Sequence, residues 1–272
     1  MKGRQVVVAA RSIGRVEPTG AEPITAEMIA EAANLRIIAM HGVGLNHIDQ
    51  EAAEARGIVV KAVPGGNADA VADLTWGLMF AVSRRIAEAD AAVRQGEWGK
   101  FIGHSVSKKT LGIVGFGAIG KAVARRASGF SMVLLAYDVL TDEATAQSLN
   151  VEYVSLDTLL EQSDFVTLYV PLMDATRGLI GERELAMMKP SAVLVNVSRG
   201  GVVDEQALCH ALHEGSIAGA GIDVYSEEPI AADHGLLQAP NCVLTPHIGG
   251  RSVETIRHIG IETARNILEA LQ

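Results

Sequence analysis

The stretch LGIVGFGAIGKAVA, residues 111–124, constrains the fold more than any other part of the chain. An apolar run ends in Gly115, and Gly117 and Gly120 complete a G-x-G-x-x-G pattern that opens a helical sequence. The pattern alone is common; between a strand and a helix it has a physical meaning. The first glycine permits a tight turn, the second lets the backbone approach a pyrophosphate, and the third lets the helix pack closely on the strand. Ala118 and Ile119 fall at the helix start, where unpaired N–H groups and the helix dipole favour an anion.

The next apolar run, MVLLAYD, ends in Asp138. A carboxylate there accepts the hydroxyls of an adenine ribose and repels a 2′-phosphate, and VLTDEATAQ, which follows, contains no Arg or Lys. The expected cofactor is therefore NAD rather than NADP.

Strand-like and helical runs alternate along the rest of the chain. QVVVAA, LRIIAM and IVVKAV read as strands, with TAEMIAEAAN (Thr25 as its N-cap) and DQEAAEARG as the helices between them. A turn at PGGN leads into one long helix from Asp69 to about Arg94, closed by GEWGK. Its first half is apolar nearly all round, which calls for burial on more than one side. After the glycine loop come VEYV, LDTLLEQS, DFVTLYVP, GERELAMM, AVLVNVS, DEQALCHALHEG, AGAGIDVY and NCVLTPH, then a last helix capped by Ser252. Runs such as LGIVG and AVLVNV are continuously apolar, as parallel strands covered on both faces are. The expectation is an α/β protein with a doubly wound parallel sheet.

A chain of 272 residues fits two domains or one large α/β domain, and 49% hydrophobic with 20% charged residues is ordinary globular composition. A formal charge of −9 argues against nucleic acid or an anionic membrane as partner. The two cysteines, Cys209 and Cys242, have no metal-ligand spacing, so no metal is expected. VVVAA runs straight into Arg11 without the longer apolar region of a signal peptide, and LTWGLMFAV is too short to cross a bilayer. These readings point to a cytoplasmic protein.

Three further strand ends carry chemistry. VNVSRGG ends in Arg199, GIDVYSEEP in Glu227 and Glu228 before Pro229, and VLTPHIGG in His247, between Pro246 and the glycines 249 and 250. Ligands of open parallel sheets bind at the carboxyl ends of strands. An arginine offers a planar fork for a carboxylate, and a histidine exchanges protons near neutral pH.

At these residues the chain resembles the D-isomer-specific 2-hydroxyacid dehydrogenase family. The blocks GFGAIG…YD, RGGVVDEQAL, GAGIDVYSEEP and PHIGG occur in the family's order, and HGVGLNHID is similar to its substrate loop. The resemblance runs from about residue 35 to 265. It implies a Rossmann NAD domain (residues 63–251) and a second, smaller, flavodoxin-like α/β substrate domain (1–62 with 252–272). That second domain is expected to be N-terminally shortened, entering one β-α unit late at QVVVAA. It implies hydride transfer between NAD and a small 2-hydroxy or 2-oxo acid, with Arg199 on the substrate, His247 as acid/base and Glu228 paired to it. Cofactor contacts are implied for Gly115, Gly117, Ala118, Ile119, Gly120, Asp138, Val170, Pro171, Val197, Ser198, Asp223, His247 and Gly249. The glycines beside His247 would let cofactor and substrate approach closely.

The resemblance also implies that backbone N–H groups at Val43 and Gly44 hold the substrate carboxylate. Met40 stands where phosphoglycerate-type relatives carry an arginine, which disfavours a phosphorylated substrate, and His41 is open between substrate contact and packing. Ala118 replaces an arginine common in relatives, a lost pyrophosphate contact. A homodimer is expected. The alternative reading is an NAD-binding regulator or an inactive, truncated paralogue, which the short N-terminus favours and the intact Arg, Glu and His disfavour.

Overall fold

The computed structural model describes the backbone of Gln5–Ala10 and, in full, residues 23–45 and 47–272. Asn46, in the HGVGLNHID block, lies outside the described residues. The described chain divides into two compact units, one running up to Ala70 and joined by Gly250–Gln272, the other Val71–Gly249.

The first unit carries three parallel strands, β1 (Gln5–Ala10), β2 (Leu35–His41) and β3 (Val59–Lys61), in that spatial order. Helix α1 (Ala26–Glu31) starts where the Thr25 side chain accepts the Met28 N–H, and α2 (Gln50–Ala55) where Asp49 accepts that of Ala52. Ile29, Leu35, Ile38, Ile48, Ala53 and Ile58 close a small core between them. The C-terminal helix Val253–Leu271, capped by Ser252, belongs to this unit. Its Thr263 hydroxyl donates to Met40 O, and Asn266 Nδ2 donates to Ala62 O.

Residues 63–70 and 250–251, assigned from sequence to the nucleotide half, group with the first unit instead. Local contacts explain the shift. Val63 N–H donates to Gly42 O, and Gly66 lies against Val63 and Ile259. Gly250 lies against Asn67.

The helix expected from Asp69 to Arg94 is two helices, α3 (Ala68–Ser83) and α4 (Ile86–Arg94). The break follows from a competing hydrogen bond: Ser83 O accepts His104 N–H at 2.8 Å, and Arg85 turns left-handed at φ 51°. In α3, Trp76, Leu78, Met79 and Val82 are buried within the second unit's own core, and Trp76 stacks on Phe130 at 4.7 Å.

The second unit is a seven-stranded, all-parallel sheet. Its strands are β4 (Thr110–Val114), β5 (Val133–Tyr137), β6 (Val151–Tyr153), β7 (Phe165–Leu168), β8 (Val193–Asn196), β9 (Gly219–Ile222) and β10 (Cys242–Leu244). The spatial order β10-β9-β8-β7-β4-β5-β6 places the point of reversal between β4 and β7. Helices α5 (Ala118–Ala127), α6 (Glu143–Ser148), α7 (Leu156–Gln162), α8 (Glu182–Met187) and α9 (Glu205–His213) connect the strands. Leu111, Ile113, Leu134, Ala136, Val193 and Val195 face one apolar cluster with α3 and α5. Their alternates Leu135, Val166, Leu168 and Leu194 face another with α7, α8 and α9. This two-sided burial is why the strand sequences are apolar without alternation. Helix α6 carried no periodic signal; it is a single short turn and a half nucleated by Asp142, which accepts Thr145 N–H.

Candidate active site

The register of the second sheet decides where its ligand-facing groups lie. Tyr137, Val114, Leu168, Asn196, Ile222 and Leu244 pair side by side across β5, β4, β7, β8, β9 and β10. Because all six strands run parallel, whatever follows these residues emerges on one edge. Asp138, Gly115, Val170, Val197, Asp223 and Thr245 come within two residues of that row, and Arg199 and His247 three residues beyond it.

At the glycine loop, Gly115 adopts φ 95°, and a Cβ there would stand 2.9 Å from Tyr169 C and 3.1 Å from Val170 N. A Cβ on Gly120 would stand 2.4 Å from Gly115 O, so α5 packs on the loop at a distance only glycine allows. Gly117 caps α5 and has open space where its Cβ would point, leaving its backbone approachable by a phosphate. The Asp138 carboxylate accepts Phe116 N–H at 2.7 Å and Leu140 N–H at 3.1 Å, which ties the loop to the end of β5. Two oxygens with about four acceptor positions retain capacity for ribose hydroxyls. The loop therefore fits a dinucleotide.

Arg199 follows a turn stapled by Asn196, a residue the sequence reading passed over. Asn196 Oδ1 accepts both Ser198 N–H (3.1 Å) and Ser198 Oγ–H (2.7 Å), while its Nδ2 donates to Arg199 O (3.2 Å). The signal was present: an asparagine at the end of the apolar run VLV needs internal partners when buried. Arg199 Nη1 donates to Ser198 O at 2.7 Å. Burial lowers the Arg199 guanidinium from its ordinary value, and the charge of Glu228 acts in the opposite direction.

His247 Nδ1 lies 2.7 Å from Glu228 Oε2 and 2.8 Å from Oε1. The imidazole and the carboxylate, separate in sequence, are thus brought together, and the charge of Glu228 reaches the Arg199 guanidinium. Glu227, next to Glu228 in the acidic turn, is not part of this pair. His247 itself adopts φ 51°, a left-handed conformation that sequence reasoning did not anticipate. That conformation costs on the order of 1–2 kcal/mol for a residue with a Cβ.

Asp223 holds the turn. Its carboxylate accepts Thr245 Oγ–H at 2.6 Å, Ile248 N–H at 2.8 Å and Gly249 N–H at 2.8 Å, gripping the chain on both sides of His247. Asp223 is almost completely buried, and burial raises its carboxyl above the ordinary range; the three hydrogen bonds and nearby His247 oppose the rise. Tyr225 adds a second clamp, its hydroxyl donating to Thr245 O at 3.0 Å. The glycines beside His247 also pack closely on protein neighbours: a Cβ on Gly249 would stand 3.1 Å from Asp223 Oδ2, and one on Gly250 3.4 Å from Asn67.

Val43 and Gly44 follow β2 in the first unit and are half-buried. His41 ends β2, with its Nε2 3.6 Å from where a Cβ on Gly260 would stand, so it packs along the C-terminal helix. Among the described residues, no group of three or more His, Cys, Asp and Glu is arranged to hold a metal ion. No helix among them is long and apolar enough to cross a membrane.

Residues 76–249 match the family model of the D-isomer specific 2-hydroxyacid dehydrogenase, NAD binding domain. A glyoxylate reductase from Thermococcus litoralis is 46% identical over 256 residues, covering 91% of this chain and 77% of the relative. A hydroxypyruvate reductase from Thermotoga maritima is 43% identical over 255 residues, covering 92% and 82% respectively. Among solved structures, a D-lactate dehydrogenase from Aquifex aeolicus, complexed with NAD and lactic acid, superposes with a TM-score of 0.84. It is 28% identical, over 96% of this chain and 81% of that one.

Proposed function

The chain belongs to the D-isomer specific 2-hydroxyacid dehydrogenase family and is an NAD-dependent oxidoreductase of 2-hydroxy and 2-oxo acids; from that premise we propose that Arg199, Glu228 and His247 carry the reaction. The observation that carries this reading is the pair of short contacts between His247 Nδ1 and the Glu228 carboxylate, whose charge acts on a half-buried Arg199.

Bound at the glycine loop, NAD supplies the acceptor of the hydride, and its reduced form the hydride itself. We assign to that binding Gly115, Gly117, Ala118, Ile119, Gly120, Asp138, Val170, Pro171, Val197 and Ser198, which lie at or just beyond the aligned strand ends. We assign Asp223, His247 and Gly249 to it as well, Asp223 fixing the His247 turn through the N–H groups of Ile248 and Gly249.

When a 2-oxo acid is reduced, hydride adds to the carbonyl carbon and negative charge grows on the carbonyl oxygen. Arg199 binds the substrate's carboxylate and carbonyl oxygen, orienting the carbon and stabilising that charge. With Nδ1 committed to Glu228, proton exchange with the substrate oxygen falls to Nε2 of His247. The Glu228 carboxylate fixes the ring's tautomer and orientation. The same groups run the oxidation in reverse, His247 accepting the hydroxyl proton. Backbone N–H groups of Val43 and Gly44 contribute to holding the carboxylate.

The substrates proposed are small, unphosphorylated 2-oxo acids of the glyoxylate and hydroxypyruvate class, after the names of the relatives. We further propose a cytoplasmic homodimer. Free thiols at Cys209 and Cys242 suit a reducing compartment, and the exposed Ile86, Val93, Trp98 and Ile102 of α4 and the segment after it suit contact with a second copy. No observation comparable to the His247–Glu228 contact favours the regulatory or inactive reading.

The test is NADH oxidation against a panel of 2-oxo acids. General acid–base help is worth typically ~10²–10⁴-fold, so His247→Ala should lose about that in turnover while still binding NADH. Near-normal turnover in that variant refutes the assignment.

A further inference from the structure

One carboxylate outside this machinery is bonded to the backbone that links its parts. The Tyr225–Ser226 segment meets both the arginine turn and the acid. Gly200, next to Arg199, lies so close that a Cβ there would stand 1.8 Å from Tyr225 O and 2.5 Å from Ser226 N. Tyr225 N–H donates to Glu228 Oε1 at 3.2 Å, the same oxygen that meets His247. Ser226, in turn, is held by Glu205: Oε1 accepts Ser226 N–H at 2.6 Å and Ser226 Oγ–H at 2.8 Å.

Glu205 is itself doubly fixed. It is the first residue of α9, whose start is set by Asp204 accepting the N–H groups of Gln206 and Ala207. Its other oxygen, Oε2, lies 3.0 Å from His234 Nε2. His234 Nδ1 accepts Leu236 N–H at 3.2 Å, so the proton of the neutral ring resides on Nε2 and is donated to Glu205. The Glu205 side chain is only 13% exposed, whereas Ser226 is exposed and has Glu205 as the acceptor that ties its peptide to α9.

We propose that Glu205 is a positioning residue for the reaction: by holding the Tyr225–Ser226 peptide, it sets the spacing between the Arg199 turn and the Glu228–His247 pair. This rests on the roles given above to Arg199, Glu228 and His247. Removing the Glu205 carboxylate leaves the Ser226 N–H and hydroxyl to mobile water in place of a fixed acceptor and lets the peptide between the two groups move. A displacement on the order of 1 Å in a reacting group costs roughly 10²-fold.

The experiment compares the parent enzyme, Glu205→Ala, Glu205→Gln and His247→Ala in steady-state reduction of glyoxylate, with NADH affinity by fluorescence titration and Tm alongside. Glu205→Ala should lower kcat/KM for glyoxylate by ~10–100-fold and leave NADH affinity within about twofold, because the bonds of Glu205 go to Ser226 and His234 and not to a residue assigned to the nucleotide. Glu205→Gln keeps an acceptor oxygen for Ser226 and should recover most of the rate, while its amide, facing the His234 N–H, lowers Tm. That split between rate and stability is what a purely structural residue cannot produce. Glu205→Ala turning over like the parent overturns the proposal. So does a parallel fall of rate, NADH affinity and Tm in both variants, or a Gln variant as slow as the Ala variant. An inactive parent, or His247→Ala as fast as the parent, refutes the catalytic assignment and this inference with it; an impaired His247→Ala beside an unimpaired Glu205→Ala refutes the inference alone.

Discussion

Replacing Glu228 by Gln removes a charge from the site while changing the side-chain volume little. In the structure, His247 Nδ1 lies within 2.8 Å of both Glu228 oxygens, and Oε1 also accepts Tyr225 N–H. The two side chains are 20% and 22% exposed, so the pair is not screened as a surface ion pair is. A hydrogen bond to a charged partner contributes about 1.5–3 kcal/mol, roughly twice a neutral one. Gln retains at most a neutral acceptor, and if its oxygen stays with Tyr225 its amide group points at Nδ1–H. The expected loss is therefore about 1–2 kcal/mol, or ~5–30-fold in kcat/KM at about 1.4 kcal/mol per tenfold. Glu228→Ala, which also strands the Tyr225 N–H, should lose the whole bond, ~10–100-fold or more. The assay is NADH oxidation at saturating NADH with glyoxylate varied, checked by NADH titration, which both variants should pass unchanged. If Glu228→Gln stays within twofold of the parent, the carboxylate's charge plays no part in proton transfer and the reasoning fails.

Two other substitutions probe the nucleotide half. Asp138→Ala should weaken NAD binding and erode the preference for NAD over NADP, read by titrating both cofactors; an unchanged preference removes the role given to Asp138, whose bonds to Phe116 and Leu140 N–H would then be structural only. Asp142 is held at about 2, below its ordinary 3.8, first by Lys121 Nζ at 2.6 Å and then by Thr145. A depressed carboxyl stabilises the fold above its unfolded value and loses that contribution as pH falls through the folded one. Asp142→Asn should therefore lower Tm near neutral pH, with the gap to the parent narrowing between about pH 4 and pH 2; a gap of constant size across that range would refute the linkage.

The features readable along the chain were those encoded by near neighbours. Gly115, Gly117 and Gly120 announce a strand–turn–helix because each serves a demand of the local backbone, and the apolar runs announce strands covered on both sides. Thr25 and Ser252 mark helix starts because a cap acts within one turn. Arg199, Glu228 and His247 were recognisable as chemistry at strand ends.

Other features depended on groups far apart in sequence. The break at Arg85 comes from His104 taking Ser83 O, and the left-handed turn at His247 is gripped by Asp223, a residue of the preceding strand's end. The residues around the PGGN turn joined the first unit through Val63 bonding to Gly42. Above all, the meeting of carboxylate and imidazole, within reach of the Arg199 charge, follows from the lateral row Asn196–Ile222–Leu244, which parallel hydrogen bonding aligns to the residue. A linear string names the groups at the end of each strand, but the relative height of those ends is a property of pairing between strands, and a one-residue slip would have turned the same side chains away from one another.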